Sequence, residues 1–323
     1  MKKAIFSLLL AGSLILTGCG DSNTDFTQVS GQQGNPGTPV PTPTPTATAG
    51  YFVDATNGND TTAAAAANPT SDTPFATIQA AVTDAPNGTD ITIRVGTYTE
   101  TVTLKNGQRL LGTAGGNRPV ISGRIVLADG NTVDFLRIQD STSDAIDGND
   151  QNGGTITNCQ IINATGTGIR LEPAVGSWDI IGNLIEDSGS VGVIADSGGT
   201  GSVRYRINDN TITGSGLDAI GLVAENSSQL VAQIHGNTMI DNQDNATFEG
   251  IVGDTAVMSL DIEDNTNDDT YVLSNENTGS VLNVEELVVG PPASIPSNTG
   301  TVTIDTGTGT APPTSVADGF CGF

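Results

Sequence analysis

Ile180-Ile181-Gly182-Asn183-Leu184-Ile185, then Ile207-Asn208-Asp209-Asn210-Thr211-Ile212, then Ile234-His235-Gly236-Asn237-Thr238-Met239 repeat one frame: apolar, two spacers, Asn, one spacer, apolar. Upstream, Val133-Leu136-Ile138 and Ile156-Cys159-Ile161 keep the frame with Leu and Cys in the Asn position, and Ile262-Asn265-Asn267 is a degenerate copy. That position falls at 136, 159, 183, 210, 237 and 265, advancing by 23, 24, 27, 27 and 28 residues. Ten residues after it comes another apolar position, Ile146, Ile169, Val193 and Ile220, each preceded by a small residue: Ala145, Gly168, Gly192 and Ala219. A period of this size, built from strand-like segments and Gly/Asn turns, marks a solenoid whose coils bury their apolar faces only by stacking. The expected fold is all-β, a single-stranded parallel β-helix. It has about eight coils between Ile91 and Val289, each rising ~4.8 Å, a rod of about 40 Å.

An inward Asn at a bend can bond the amides of the coils above and below it, satisfying buried groups that otherwise cost about 1–3 kcal/mol each. Because Cys159 and Leu136 share that column, Cys159 reads as a small buried hydrophobe rather than a nucleophile. Cys321 sits in a Gly- and Pro-rich tail, and a Cys159–Cys321 disulfide is the alternative to two free thiols.

The whole chain has 323 residues, a formal charge of −25 and only 11 Lys and Arg. Phosphate binding needs clustered cations, so a nucleic-acid partner is not expected. Three Cys make no disulfide framework, and no CxxC or Cys/His cluster points to zinc. Hydrophobic content of 36% is low, yet its regular spacing argues against wholesale disorder.

Lys2 and Lys3 open a short basic segment before the apolar run Ala4–Leu16, too short to span a ~30 Å hydrocarbon core. The run ends in Leu16-Thr17-Gly18-Cys19, which resembles the lipobox of bacterial lipoproteins. That resemblance implies cleavage after residue 18, lipidation of Cys19, and attachment to a lipid bilayer. Several acyl chains suffice for a stable anchor. Gly20, where the family's inner-membrane retention signal would place Asp, favours the outer membrane of the cell envelope. Cleavage removes two Lys and no acid, taking −25 to −27. Residues 19–50 are rich in Gly, Thr and Pro and end in alternating Pro-Thr, which favours polyproline II and has no apolar face. They read as a stalk.

The folded part is expected over 51–290. Tyr51-Phe52-Val53 reads as a strand, and Thr73-Pro74 reads as the start of a helix carrying Phe75, Ile78 and Val82 on one face. Asn87-Gly88 ends it, and Ile91–Val95 alternates as a strand. This stretch resembles the front of right-handed parallel β-helix proteins of the pectin-lyase-like superfamily, in which a small amphipathic helix plugs the open end.

Alternation along three aligned strands puts Arg204, Arg206 and Asn208, then Val231, Gln233 and His235, then Ser259, Asp261 and Glu263 on the solvent side. Stacking sets His235 beside Glu263, Asp179 beside Arg206, and Asp147 beside Arg170. The fold resemblance implies a polysaccharide lyase with Arg206 as base, His235 as proton relay, Glu263 among the acids, and Ca²⁺ neutralising a uronate. The simpler reading is cross-strand charge pairing that keeps an exposed sheet soluble. Within 51–323, Asn-Thr-Asp and Arg-Ile-Lys of polygalacturonase-like hydrolases are absent, Asp268-Asp269 sits in a polar loop, and the Asp-Pro-His of alginate epimerases is missing. Lys105 is the one lysine left after cleavage. These absences weigh against an enzyme.

No cofactor is required by this reading. Asp140, Asp144, Asp147 and Asp150 form one acidic cluster, and Asp261, Glu263, Asp264, Asp268 and Asp269 another. Asp261, Asp264, Asp268 and Asp269 are the candidate Ca²⁺ ligands, with solvated turns as the competing account. Residues 291–323 read as an irregular tail containing one strand-like run, Thr301–Ile304. The expected protein is a monomeric, lipid-anchored surface module that binds glycan or builds envelope structure; the alternative is a lyase or glycoside hydrolase acting on acidic polysaccharide.

Overall fold

The computed structural model describes residues 48–243, 247–289, 292–306 and 311–322. Residues 1–18, Cys19 and the stalk up to residue 47 lie outside them. The described chain winds into a parallel β-solenoid of about 8 turns, with three sheets of 11, 9 and 8 strands and two short helices.

Each repeated apolar position of the sequence is a column. In the 11-strand sheet Val133, Ile156, Ile180, Ile207, Ile234 and Ile262 stack in register. In the 8-strand sheet Ile138, Ile161, Ile185, Ile212 and Met239 do the same. In the 9-strand sheet Ile146, Ile169, Val193, Ile220, Phe248 and Tyr271 follow one another. All of these side chains are buried in one continuous core. No coil has enough apolar surface to fold alone, so each is stabilised by its neighbours.

Two bends per coil carry left-handed backbone. From the Leu136 coil onward the residue before the Asn position has positive φ: Phe135, Asn158, Gly182, Asp209, Gly236 and Asp264, then Ser297. A second column, Asp140, Asn163, Asp187, Gly214 and Asp241, does likewise. Asn, Asp and Gly are the residues that tolerate this region, which accounts for Asp140 and Asp264 of the acidic clusters. Phe135 and Ser297 are the exceptions by type, and the Phe135 ring lies 4.0 Å beneath the Arg118 guanidinium.

The Asn column itself is a buried ladder. Each amide nitrogen donates to a main-chain carbonyl (Asn183 to Ile156, Asn210 to Ile180, Asn237 to Ile207), and each amide oxygen accepts the main-chain N–H of the preceding coil's residue. Cys159 starts it by donating its N–H to Asn183 Oδ1 at 2.9 Å. Burial pushes the Cys159 thiol up to about 12, so it stays protonated. Cys159 and Cys321 are both free, which excludes the alternative disulfide.

At the N-terminal end the helix is Ile78–Asp84, capped by Thr77 rather than Thr73. Phe75, although on the same buried face, bridges to Val53 as extended chain, its N–H donating to Phe52 O at 2.8 Å. The Glu100 carboxylate accepts the N–H groups of Ile78 and Gln79 at the helix start. A second helix, Asp60–Ala64, is not foreshadowed by periodicity; Asn59 caps it. Ile78, Ala81, Val82 and Phe75 are buried against the first coil.

After residue 290 the chain is more regular than expected. Asn298 Oδ1 accepts the Asn265 N–H at 3.1 Å, extending the ladder one further step across 33 residues. Thr301–Thr306 pairs in parallel with Thr270–Asn275, and Thr314–Val316 with Asn283–Glu285. The lengthened spacing hides this rung from a search at the shorter period.

Candidate functional site

The outer face of the 11-strand sheet carries the polar rows. Asp179, Arg206, Gln233 and Asp261 form one column across Val175–Ile181, Ser202–Asn208, Gln229–His235 and Val257–Glu263; Ile181, Asn208, His235 and Glu263 form the next. Both pairings expected from stacking, Asp179 with Arg206 and His235 with Glu263, are neighbours in register.

Arg206 is tied to Asp179 by two hydrogen bonds, Nε at 2.6 Å and Nη2 at 2.7 Å. The bonding and charge of Asp179 raise the Arg206 pKa further, so the guanidinium stays protonated. Arg206 faces Gln233, and His235 faces Asn208 one pair farther along, so the two lyase candidates are diagonal rather than paired. Asp147 and Arg170 are in register, but the ion pairs are Asp147 with Arg124, and Arg170 with Glu172 at 2.8 Å and Asp144 at 3.6 Å. Side-chain reach along the strand edge, which alternation does not encode, decides these partners.

Ser259 and Asp261, expected in solvent, are 6% and 7% exposed. The C-terminal residues supply the cover. Glu285, 3% exposed, accepts the N–H groups of Gly319 and Cys321 at 2.7 and 2.6 Å, and Arg204 donates to Gly322 O at 3.1 Å. The Cys321 thiol is pushed up by burial, by its hydrogen bond to Glu285 and by the Glu285 and Asp261 charges. Beside this cover lies a shallow groove of about 360 Å³, lined by Asp179, Arg204, Arg206, Gln233 and Gly322 among others.

His235 Nε2 lies 2.8 Å from Asp261 Oδ1. Gln233 Nε2 donates to the other Asp261 oxygen at 3.3 Å. One ligand atom each from His235, Asp261 and Glu263 falls within 4.8 Å of the others. Burial and the Asp261 charge raise the Glu263 pKa, with His235 opposing. The remaining Ca²⁺ candidates do not join this group. Asp264 is an exposed left-handed bend residue, Asp268 accepts the Asp241 N–H at 2.9 Å, and Asp269 accepts the Thr270 hydroxyl at 3.1 Å.

One perturbed carboxyl has no sequence signal, because its perturbers are supplied by adjacent coils. Burial, then Glu225 and Glu172, push Asp196 up to about 6, and its Oδ1 is buried without a hydrogen-bond partner. An acid raised on folding binds its proton more tightly in the native state, so its contribution favours folding at low pH and is lost as pH rises from about 4 to 6. Asp196→Asn is therefore expected to melt about 2 °C higher than the parent at pH 7 and to show no gain at pH 4. Melting scans at the two pH values check this; an equal shift at both would remove the titration from the explanation.

No family model, no curated protein and no solved structure matches this chain.

Proposed function

We propose that this chain is a lipid-anchored protein of the bacterial cell envelope, with outer-membrane placement favoured. Its stalk carries a β-helix related to the pectin-lyase-like group, whose 11-strand face binds a glycan without cleaving it. The anchor rests on Leu16-Thr17-Gly18-Cys19 behind the apolar run, with Cys19 as the lipidated residue. No helix of the described residues is long and apolar enough to cross a membrane.

The observation that carries the non-catalytic reading is the bidentate hold of Asp179 on Arg206. A guanidinium fixed in its charged form is a poor proton acceptor and a good planar donor to sugar hydroxyls or uronate carboxylates. The groove beside it is shallow and edged by Asp179, Arg204, Arg206 and Gln233, suited to an extended chain rather than to an enclosed small molecule. Phe320, 56% exposed on the covering segment, offers an apolar surface for a sugar ring. The second reading, a lyase, draws on the adjacency of His235 and Glu263.

A panel of neutral and acidic polysaccharides, incubated with the full chain, separates the two. Retention on one polysaccharide with no new unsaturated or reducing ends is the expected result, and Arg206→Ala should weaken it about tenfold by removing a charged donor. Release of unsaturated ends that Arg206→Ala leaves intact would overturn both the non-catalytic reading and the role of Arg206.

A further inference from the structure

We infer that His235, Asp261 and Glu263 form a binding site for a divalent ion of the Zn²⁺ class, a site adjoining the Asp179–Arg206 groove.

Three strand positions create it. His235 and Glu263 are cross-strand neighbours, and Asp261 lies two residues before Glu263, so all three project from the same outer face. Their ligand atoms fall within 4.8 Å of one another. One imidazole and two carboxylates around one point are the donor types that zinc sites use.

The polar accounting points the same way. Asp261 is 7% exposed, and its Oδ1 and His235 Nε2 are both buried without a hydrogen-bond partner, although they lie only 2.8 Å apart. The separation is that of an ion pair, but the two groups lack the alignment of a hydrogen bond. Buried polar atoms left in this state are uncommon, since each forfeits its interaction with water. An ion held between these two atoms and the Glu263 carboxylate would satisfy both together. With metal–ligand bonds of about 2.0–2.2 Å, tetrahedral neighbours sit roughly 3.4 Å apart. The His235–Asp261 pair therefore needs to open by only about half an ångström.

An outer shell is also in place. Gln233 Nε2 holds Asp261 Oδ2 at 3.3 Å, fixing which carboxylate oxygen faces His235. Ca²⁺ prefers six or more oxygen ligands, whereas an imidazole with two carboxylates selects a borderline first-row ion. The site thus differs in chemistry from the all-oxygen set of Asp261, Asp264, Asp268 and Asp269, with which it shares only Asp261.

His235 is the single histidine of the chain, which makes the test clean provided no histidine tag is added. The untagged full chain, stripped with chelator, is titrated with Zn²⁺ against a competing chromophoric chelator, and in parallel with Ca²⁺. Binding of one Zn²⁺ per chain is expected, with a rise in melting temperature and no displacement by millimolar Ca²⁺. His235→Gln and Glu263→Gln should each weaken Zn²⁺ by at least about tenfold while far-ultraviolet circular dichroism is unchanged. Cys321→Ser should leave the affinity unaltered. Failure to bind Zn²⁺, equal binding by His235→Gln, loss of binding in Cys321→Ser, or competition by Ca²⁺ at the same site would each overturn the assignment. None of these readouts depends on glycan binding.

Discussion

Asn210→Ala is expected to cost about 3–5 kcal/mol, lowering the melting temperature by roughly 10 °C. Asn210 is 1% exposed and holds three coils together. Its Oδ1 accepts the N–H and Nδ2 of Asn183 at 2.9 and 3.0 Å, and its Nδ2 donates to Ile180 O at 2.8 Å and Asn237 Oδ1 at 3.0 Å. Truncation strands at least a buried N–H and a buried carbonyl, each costing about 1–3 kcal/mol because water cannot reach them. Asn298→Ala is the internal comparison. Asn298 ends the ladder and is only half-buried, so water can replace its bonds, and a cost near 1 kcal/mol is expected. Urea unfolding of both variants checks the contrast, and similar losses would mean that the ladder does not act through burial.

Gly192→Val is expected to prevent stable folding or to cost more than about 3 kcal/mol. A Cβ at Gly192 would meet Ile212 Cγ2 at 2.4 Å, Ala219 O at 2.7 Å and Ser215 Oγ at 3.1 Å. The carbonyl belongs to the next coil and cannot retreat without breaking its sheet. Overpacking alone costs about 1–3 kcal/mol for extra methylenes, and Val adds three carbons against backbone. Gly221→Val serves as the control, since a Cβ there finds its nearest atoms at 3.8 and 3.9 Å. It should be neutral or stabilising by about 0.5 kcal/mol, because strand glycine is entropically costly. Equal damage at the two positions would show that loss of glycine flexibility, not the coil-to-coil approach, is responsible.

Both positions are legible in the sequence. Asn210 stood in the repeated frame, and Gly192 belonged to the small residues preceding the second apolar column. A solenoid is unusually readable because every contact between coils recurs at the sequence period, so one alignment of Ile180, Ile207 and Ile234 fixes inward and outward faces and cross-strand neighbours alike. The same logic placed His235 beside Glu263 and Asp179 beside Arg206. It failed where a contact lies off the register. Asp147 binds Arg124 rather than Arg170, Asp261 reaches His235 diagonally, and Asp196 is perturbed by Glu172 and Glu225 from the coils on either side. Within the acidic clusters, Asp140, Asp150 and Asp264 occupy left-handed bends, a backbone demand that composition alone does not separate from ligand chemistry.

By itself, then, the order of residues determined the stacked parallel coils, their inward columns, the Asn ladder and the burial of Cys159, because these depend only on local alternation and a repeated spacing. The tertiary structure alone decided that the C-terminal residues fold back over the outer face, burying Asp261 and Cys321, and that Asn298 adds another rung. Those contacts join segments with no shared period, and Gly319 meets Glu285 only because the chain closes in space.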